Sequence, residues 1–321
     1  LSEELARHHA RHHDRCDRGD VRSSHWRHFE KFIKLPANKQ PVGFTPKGLG
    51  FGGIRFSSPA HRVIDWLCIA SYLVHMPAAA SVRRMIGRTR PLRRRMGVDL
   101  TLDVFRQVCT LALLGTQLMK TAVTAPRVLM IGDGFGVLSA LFKEIFPHAA
   151  IVLVDLPLVL AVQAHYCQKA FAKSSHRLAG GGGGAVPSDF LYCPADSLDR
   201  IASLRFDLAV NIASMQEMTS PMIARYFDLL RRQMVADNLF YCCNREKKTM
   251  AGGETSAFFN YPWHPCDRHV IEGLCPWHRY FFAFSQTDNA PRLAGIPVPL
   301  VRFYDGRHVH RLSCLWTATS P

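Results

Sequence analysis

Residues 127–155 read RVLMIGDGFGVLSALFKEIFPHAAIVLVD. Four apolar residues, Val128–Ile131, form a short run bounded by a glycine-rich turn, the signature of a strand buried on both faces. Gly132, Gly134 and Gly136 make the turn, and Val137–Phe146 has the length and apolar content of a helix. Ile151–Val154 is a second buried strand, and it ends on Asp155. A glycine turn between strand and helix lets a ligand approach the main chain and presents helix N-terminal amides to it. Asp155 stands 23 positions after Gly132, where a carboxylate can accept both hydroxyls of an adenosine ribose. A dinucleotide fold wants G-x-G-x-x-G, but here the third glycine arrives one position early and position 137 is Val. That spacing favours the S-adenosylmethionine class of Rossmann-like folds.

Downstream the alternation continues. A helix is expected over Leu158–Phe171 and strands over Phe190–Cys193, Asp207–Ile212 and Leu239–Cys243. Another helix is expected over Pro221–Ala236, with Ser220 as N-cap. Strands are also expected at Tyr280–Ser285, Leu300–Tyr304 and Arg307–Trp316, the last two joined by the turn Asp305-Gly306. The pattern predicts an α/β fold: a parallel Rossmann-like sheet closed by a C-terminal antiparallel strand. Asp196 and Ser197, after the third long strand, are placed to contact an adenine, and the domain is expected to cover residues 122–321.

Upstream, helices are expected over residues 60–76 and 99–121, forming an N-terminal module over 35–121 that covers the acceptor pocket or supports dimerisation. Residues 35–59 are rich in Gly and Pro and read as a long loop. Residues 1–34 read as a basic arm; His8, His9, His12, His13 and Cys16 there have a helical spacing compatible with a metal, although an exposed polar arm explains them as well.

Composition limits the alternatives. The 321 residues are 48% hydrophobic and 20% charged, which excludes a largely disordered chain. No run approaches the roughly 18 apolar residues of a membrane helix, and no signal-peptide pattern is seen, so a cytoplasmic protein is expected. The ten cysteines form no CxxC and are expected to be reduced thiols. Net charge is +15; residues 1–100 carry 19 Lys/Arg against 8 Asp/Glu. The run Arg83–Arg95 has no interleaved aromatics to stack bases, so a solvated basic face is favoured over nucleic-acid binding.

Beyond the glycine motif, NIASMQEM (Asn211–Met218) and NREKKTMAGGETSAFFNYPW (Asn244–Trp263) make residues 125–280 resemble the sugar O-methyltransferase family, a class I methyltransferase family of bacterial glycan biosynthesis. The loop Gly180–Gly184 and the Arg/His-rich arm depart from it. The resemblance implies S-adenosylmethionine as cofactor. Gly132, Asp133, Gly134 and Gly136 would lie at its methionine part, Asp155 at the ribose, Leu156, Asp196 and Ser197 at the adenine, and Asn211 near the sulfonium. It implies a sugar or glycan-precursor acceptor.

Methyl transfer to a hydroxyl needs alignment and a proton acceptor. Glu217, on the rim after the fourth strand, is the first candidate base and His264 the second. Asn244, Arg245, Glu246 and Glu254 are candidates for hydrogen bonds to sugar hydroxyls, and Tyr261 and Trp263 for stacking on a sugar face. A core role explains these aromatics as well. A divalent metal between Glu217 and Asp267 or Glu246 is compatible with the sequence, but no spacing demands it. The alternatives are a ribose 2′-hydroxyl methyltransferase acting on RNA, a non-catalytic scaffold of the same fold, and a nicotinamide-dependent dehydrogenase.

Overall fold

The computed structural model describes residues 1, 5, 54–56, 58–76, 78–121, 123–180, 188–278, 280–282, 292–297, 301–303 and 307–317. The arm with its histidines and Cys16, most of the Gly/Pro-rich segment and of Gly180–Gly184, and the Asp305-Gly306 turn lie outside them.

From residue 54 on, the described residues begin with three helices: α1 (Pro59–His75), α2 (Ala79–Met96) and α3 (Leu102–Leu118). Ser58 and Thr101 cap α1 and α3 by accepting from the amides of His61 and Val104. Helix α2 occupies the arginine run that reads as a solvated face in the sequence. Arginine is a good helix former, and Val82, Met85, Leu92 and Met96 are buried along one side of the helix. Pro91 lies inside it, exposed like Gly87 one turn earlier, so water can satisfy the carbonyl left without a donor. Gly97 ends α2 in the left-handed conformation.

The alternating region follows as β1 (Arg127–Ile131), α4 (Val137–Ile145), β2 (Ala150–Asp155), α5 (Pro157–Ala170), β3 (His176–Leu178), β4 (Phe190–Pro194), β5 (Phe206–Ile212), α6 (Ser220–Gln233) and β6 (Met234–Arg245). Then come β7 (Lys247–Thr249), β8 (Thr255–Ala257), β9 (Arg268–Leu274), β10 (Tyr280–Phe282), β11 (Arg292–Leu293), β12 (Ile296–Pro297), β13 (Val301–Phe303) and β14 (His308–Cys314). The N-cap of α6 is Thr219 rather than Ser220, and the helix ends at Gln233 because β6 begins at Met234. Strands β3, β7, β8 and β9 are additions to the sequence expectation. The first three are only three residues long, and β9 is largely exposed and lacks a continuous apolar run.

Eight strands form one sheet in the order β3-β4-β2-β1-β5-β6-β14-β9. All neighbours from β3 to β6 pair parallel. Strand β14 is antiparallel to both β6 and β9, so β9 runs with the parallel set. This is the expected Rossmann-like sheet with its antiparallel C-terminal strand.

Successive strand residues point to opposite faces, as the pleat requires. Val128, Met130, Ile151 and Leu153 join a core with helices α1 to α5. Leu129, Ile131, Val152 and Val154 join a second core with α6. The N-terminal helices thus share a continuous core with the sheet. Both faces are covered, which leaves the carboxyl edge of the parallel strands as the place where loops meet.

Candidate functional site

At that edge the turn after β1 places Gly132, Gly134 and Gly136 at φ of 72°, 54° and 74°, a region costly for other residues. Gly132 sits against Ser214: a Cβ there would lie 1.9 Å from the Ser214 hydroxyl. Gly136 lets α4 approach α5, since its Cβ would lie 3.2 Å from both Cys167 Sγ and Gln163 Cα. Two glycines therefore serve close packing, and Gly134, half-exposed, is the one whose main chain is placed for a ligand. The same division of labour holds in nucleotide-binding glycine turns.

Asp133 does not point outward, contrary to the cofactor contact expected for it. Its carboxylate accepts from the amides of Leu138 (3.2 Å) and Ser139 (2.7 Å) and from the Ser139 hydroxyl, holding the start of α4. Burial pushes it up to about 6, against those hydrogen bonds.

Asp155 ends β2. Its carboxylate accepts from the Leu156 amide (2.8 Å) and from Gln163 Nε2 on α5 (2.7 Å). Burial pushes it up to about 7, and the nearby charges of Asp133 and Glu217 act in the same direction. The amide of Ala195 donates to the Asp155 carbonyl (2.9 Å), which ties the loop after β4 to the end of β2. Ser197 donates to Asp196 in that loop (2.8 Å). The candidate ribose and adenine contacts thus share one edge, with Leu156 buried beside them.

After β5 the chain turns through Ala213, at φ 53° despite its Cβ, a strained conformation of the kind that collects at functional sites. Asn211 is fully buried. Its amide donates to the Ile131 carbonyl (2.9 Å), and its oxygen accepts from Met215 N and Asn244 Nδ2. Asn244, equally buried, accepts from the amide of Gln216 (3.1 Å). The two amides lock the ends of β1, β5 and β6 together.

Glu217 follows in a short turn and forms a buried ion pair with Lys248 of β7. Lys248 escapes a sequence reading; its only signal is the Arg245–Lys248 stretch that resumes charge after an apolar strand. Gln163 and Ser214 are likewise visible only once the helices are placed.

The other acceptor-side candidates separate. Tyr261 is buried beside Phe258 in the core over α6, and the half-buried Trp263 packs on the edge of that core, edge-on to Phe227 at 5.0 Å, with its indole donating to the Phe258 carbonyl. Tyr261 is thus placed in packing, while Trp263 keeps part of its surface exposed. His264 stacks on Trp316 at 4.6 Å and accepts from the Cys266 amide, a turn-stabilising role in place of the expected base. Asp267 makes a two-bonded pair with Arg231 (2.9 and 3.0 Å). Burial alone would raise it, but Arg231 and two amides hold it below the usual carboxylate range. Glu246 pairs with Arg307 (3.1 Å). Each carboxylate of the expected Glu217/Asp267/Glu246 metal set therefore already faces a protein cation. Arg245 is half-buried and Glu254 half-buried near the β7–β8 hairpin.

No protein-family model matches the chain, and no curated protein matches it. Among solved structures it is similar to coclaurine N-methyltransferase bound to N-methylheliamine and SAH, with 12% identity over 53% of this chain and 50% of that one (TM-score 0.38). It is similar to a SAM-dependent methyltransferase from Thiobacillus denitrificans in complex with S-adenosyl-L-homocysteine, with 15% identity over 44% and 50% (TM-score 0.31). A third is the pyocyanin biosynthetic protein PhzM, with 15% identity over 55% and 43% (TM-score 0.31). The chain spans half or less of the length of each. Likeness this distant adds nothing to what the sheet order establishes. No described helix is long and apolar enough to cross a membrane.

Proposed function

We propose that this chain is an S-adenosylmethionine-dependent O-methyltransferase acting on a hydroxyl of a sugar or glycan precursor. The observation that carries the reading is the pairing of a left-handed glycine turn after β1 with Asp155 at the end of β2. The sheet order and the two-faced core support it, because they put that pairing where open α/β sheets bind ligands.

Bound S-adenosylmethionine supplies a methyl group already activated by its sulfonium. The chain's part is to bind, align and deprotonate. Gly134 leaves main chain bare for the amino-acid end. Asp155, steadied by Gln163, accepts the ribose hydroxyls. Asp196 and Ser197 face the adenine edge.

Glu217 is the proton acceptor for the incoming hydroxyl, and Lys248, 2.6 Å away, fixes its direction. With Tyr261 buried, recognition of the acceptor falls to the polar rim around Arg245, Glu246 and Glu254. The sugar assignment draws its support from the resemblance of the Asn211–Met218 and Asn244–Trp263 blocks. Radiolabelled methyl transfer to a panel of nucleotide sugars and oligosaccharides tests it. Labelling of RNA alone, with binding weakened by salt, would favour the ribose alternative.

A further inference from the structure

Behind the rim, on the sheet face covered by α1 to α5, three side chains unused by the proposed reaction converge. Cys243 lies near the end of β6, Cys275 directly follows β9, and His278 comes one turn later. All three are buried. His278 Nδ1 is 3.2 Å from Cys275 Sγ and 3.8 Å from Cys243 Sγ, and the three atoms lie within 4.8 Å of one another.

A tetrahedral zinc ion holds thiolate sulfur at about 2.3 Å and imidazole nitrogen at about 2.0–2.1 Å, which separates neighbouring ligand atoms by roughly 3.6–3.8 Å. The two sulfur–nitrogen distances, 3.2 and 3.8 Å, bracket that edge. We infer that Cys243, Cys275 and His278 bind one thiophilic divalent cation of the zinc class.

Other buried cysteines differ in a telling way. Cys167 and Cys193 contact main-chain carbonyls, as small core fillers do. Cys243 and Cys275 instead face each other and an imidazole. The surroundings are built to hold that arrangement. The Cys275 amide donates to the His308 carbonyl of β14 (2.8 Å), and Arg106 of α3 donates to the Trp277 carbonyl (3.0 Å), so the 275–278 turn is fixed from both sides. His308 stacks on His278 at 4.8 Å. His310, opposite Cys243 in the ladder, touches the Cys275 thiol while its Nδ1 lies 3.2 Å from the Tyr241 hydroxyl. This is the outer layer of hydrogen bonds that orients metal ligands.

The ion would fasten the end of β6 to the turn after β9. Cys243 also accepts, through its carbonyl, from the amide of the strained Ala213 (2.7 Å), so the site lies directly behind the rim. The inference does not depend on the methyl-transfer reading.

The test uses the full chain, untagged, expressed with zinc and dialysed without chelator. Elemental analysis should find about one zinc per chain, and cobalt(II) replacement should give a thiolate-to-cobalt charge-transfer band. That band separates this site from imidazole-only binding by the histidines at 8–13. Cys275→Ser should abolish the band, His310→Ala should weaken binding about 10- to 100-fold, and Cys266→Ser, at an exposed position, should change neither. A folded wild-type chain that holds no zinc and gives no thiolate–cobalt band overturns the inference, as does a Cys243–Cys275 disulfide in the unreduced protein. Both outcomes are read on wild type, so misfolding of a variant leaves the test intact.

Discussion

Lys248 Nζ lies 2.6 Å from Glu217 Oε1, with both side chains about nine-tenths buried, at the rim where β5 and β6 end. A buried carboxylate bonded to a fixed ammonium cannot turn away. Glu217→Gln should therefore leave donor binding intact and slow methyl transfer at least 100-fold, the scale of a lost general base. Unchanged turnover removes Glu217 from the reaction. Lys248→Met should cost about 3 kcal/mol in denaturant unfolding, because it strands a buried charge, and Glu217→Gln in the same chain should recover part of that loss.

Asp155 gives a pH dependence. Its carboxyl is pushed up to about 7, and only the ionised form accepts two hydroxyls. Donor affinity should fall as pH drops through that value and level off above it. The stability effect has the opposite sign: a raised carboxyl favours the folded, ligand-free chain at low pH, and the benefit is lost as pH rises through about 7. Asp155→Asn should thus melt a few degrees higher than wild type at about pH 8 while binding the donor far more weakly. A lower melting point there would contradict the buried-charge account.

Gly132 and Ser214 give a packing test. Gly132→Ala places a methyl on the Ser214 hydroxyl and forces a Cβ into the left-handed region. The expected loss is about 2–4 kcal/mol. Ser214→Gly in the same chain should return the clash part and leave about 1–2 kcal/mol of backbone strain. Wild-type stability of the single variant would show that the turn is not held as described.

Trp263 separates core from binding surface. Trp263→Ala should destabilise by about 3–5 kcal/mol, as a lost aromatic in a core does. At a temperature where the variant remains folded, KM for the acceptor should stay near wild type. A large rise in KM with little loss of stability would return Trp263 to the acceptor site.

The sequence carried the centre of the fold because β1 and β2 are buried on both faces and hold unbroken apolar runs, Val128–Ile131 and Ile151–Val154, and β5 holds the shorter run Leu208–Val210. The glycine turn and Asp155 were legible for the same reason, being fixed by strand ends. Helix α2 was not: its apolar stripe of Val82, Met85, Leu92 and Met96 is masked by arginines and Pro91. Strand β9 is exposed at the sheet edge and has no hydrophobic run to announce it. Within the site, residue type alone could not say which way a side chain at a strand end turns. Asn211, Asn244 and Asp133 satisfy main-chain groups, and Trp263 and Tyr261 complete a core. The Glu217–Lys248 pair joins residues 31 positions apart, a distance no local pattern reports.

The most direct measurement is a calorimetric titration of wild type and Asp155→Ala with S-adenosylmethionine and S-adenosylhomocysteine at a pH above 7. Wild type should bind both, and the variant should bind each more than tenfold more weakly, about 1.4 kcal/mol or more. Equal affinity in the two proteins, or no heat from wild type at millimolar ligand, would contradict the assignment of the glycine turn and Asp155 to this cofactor.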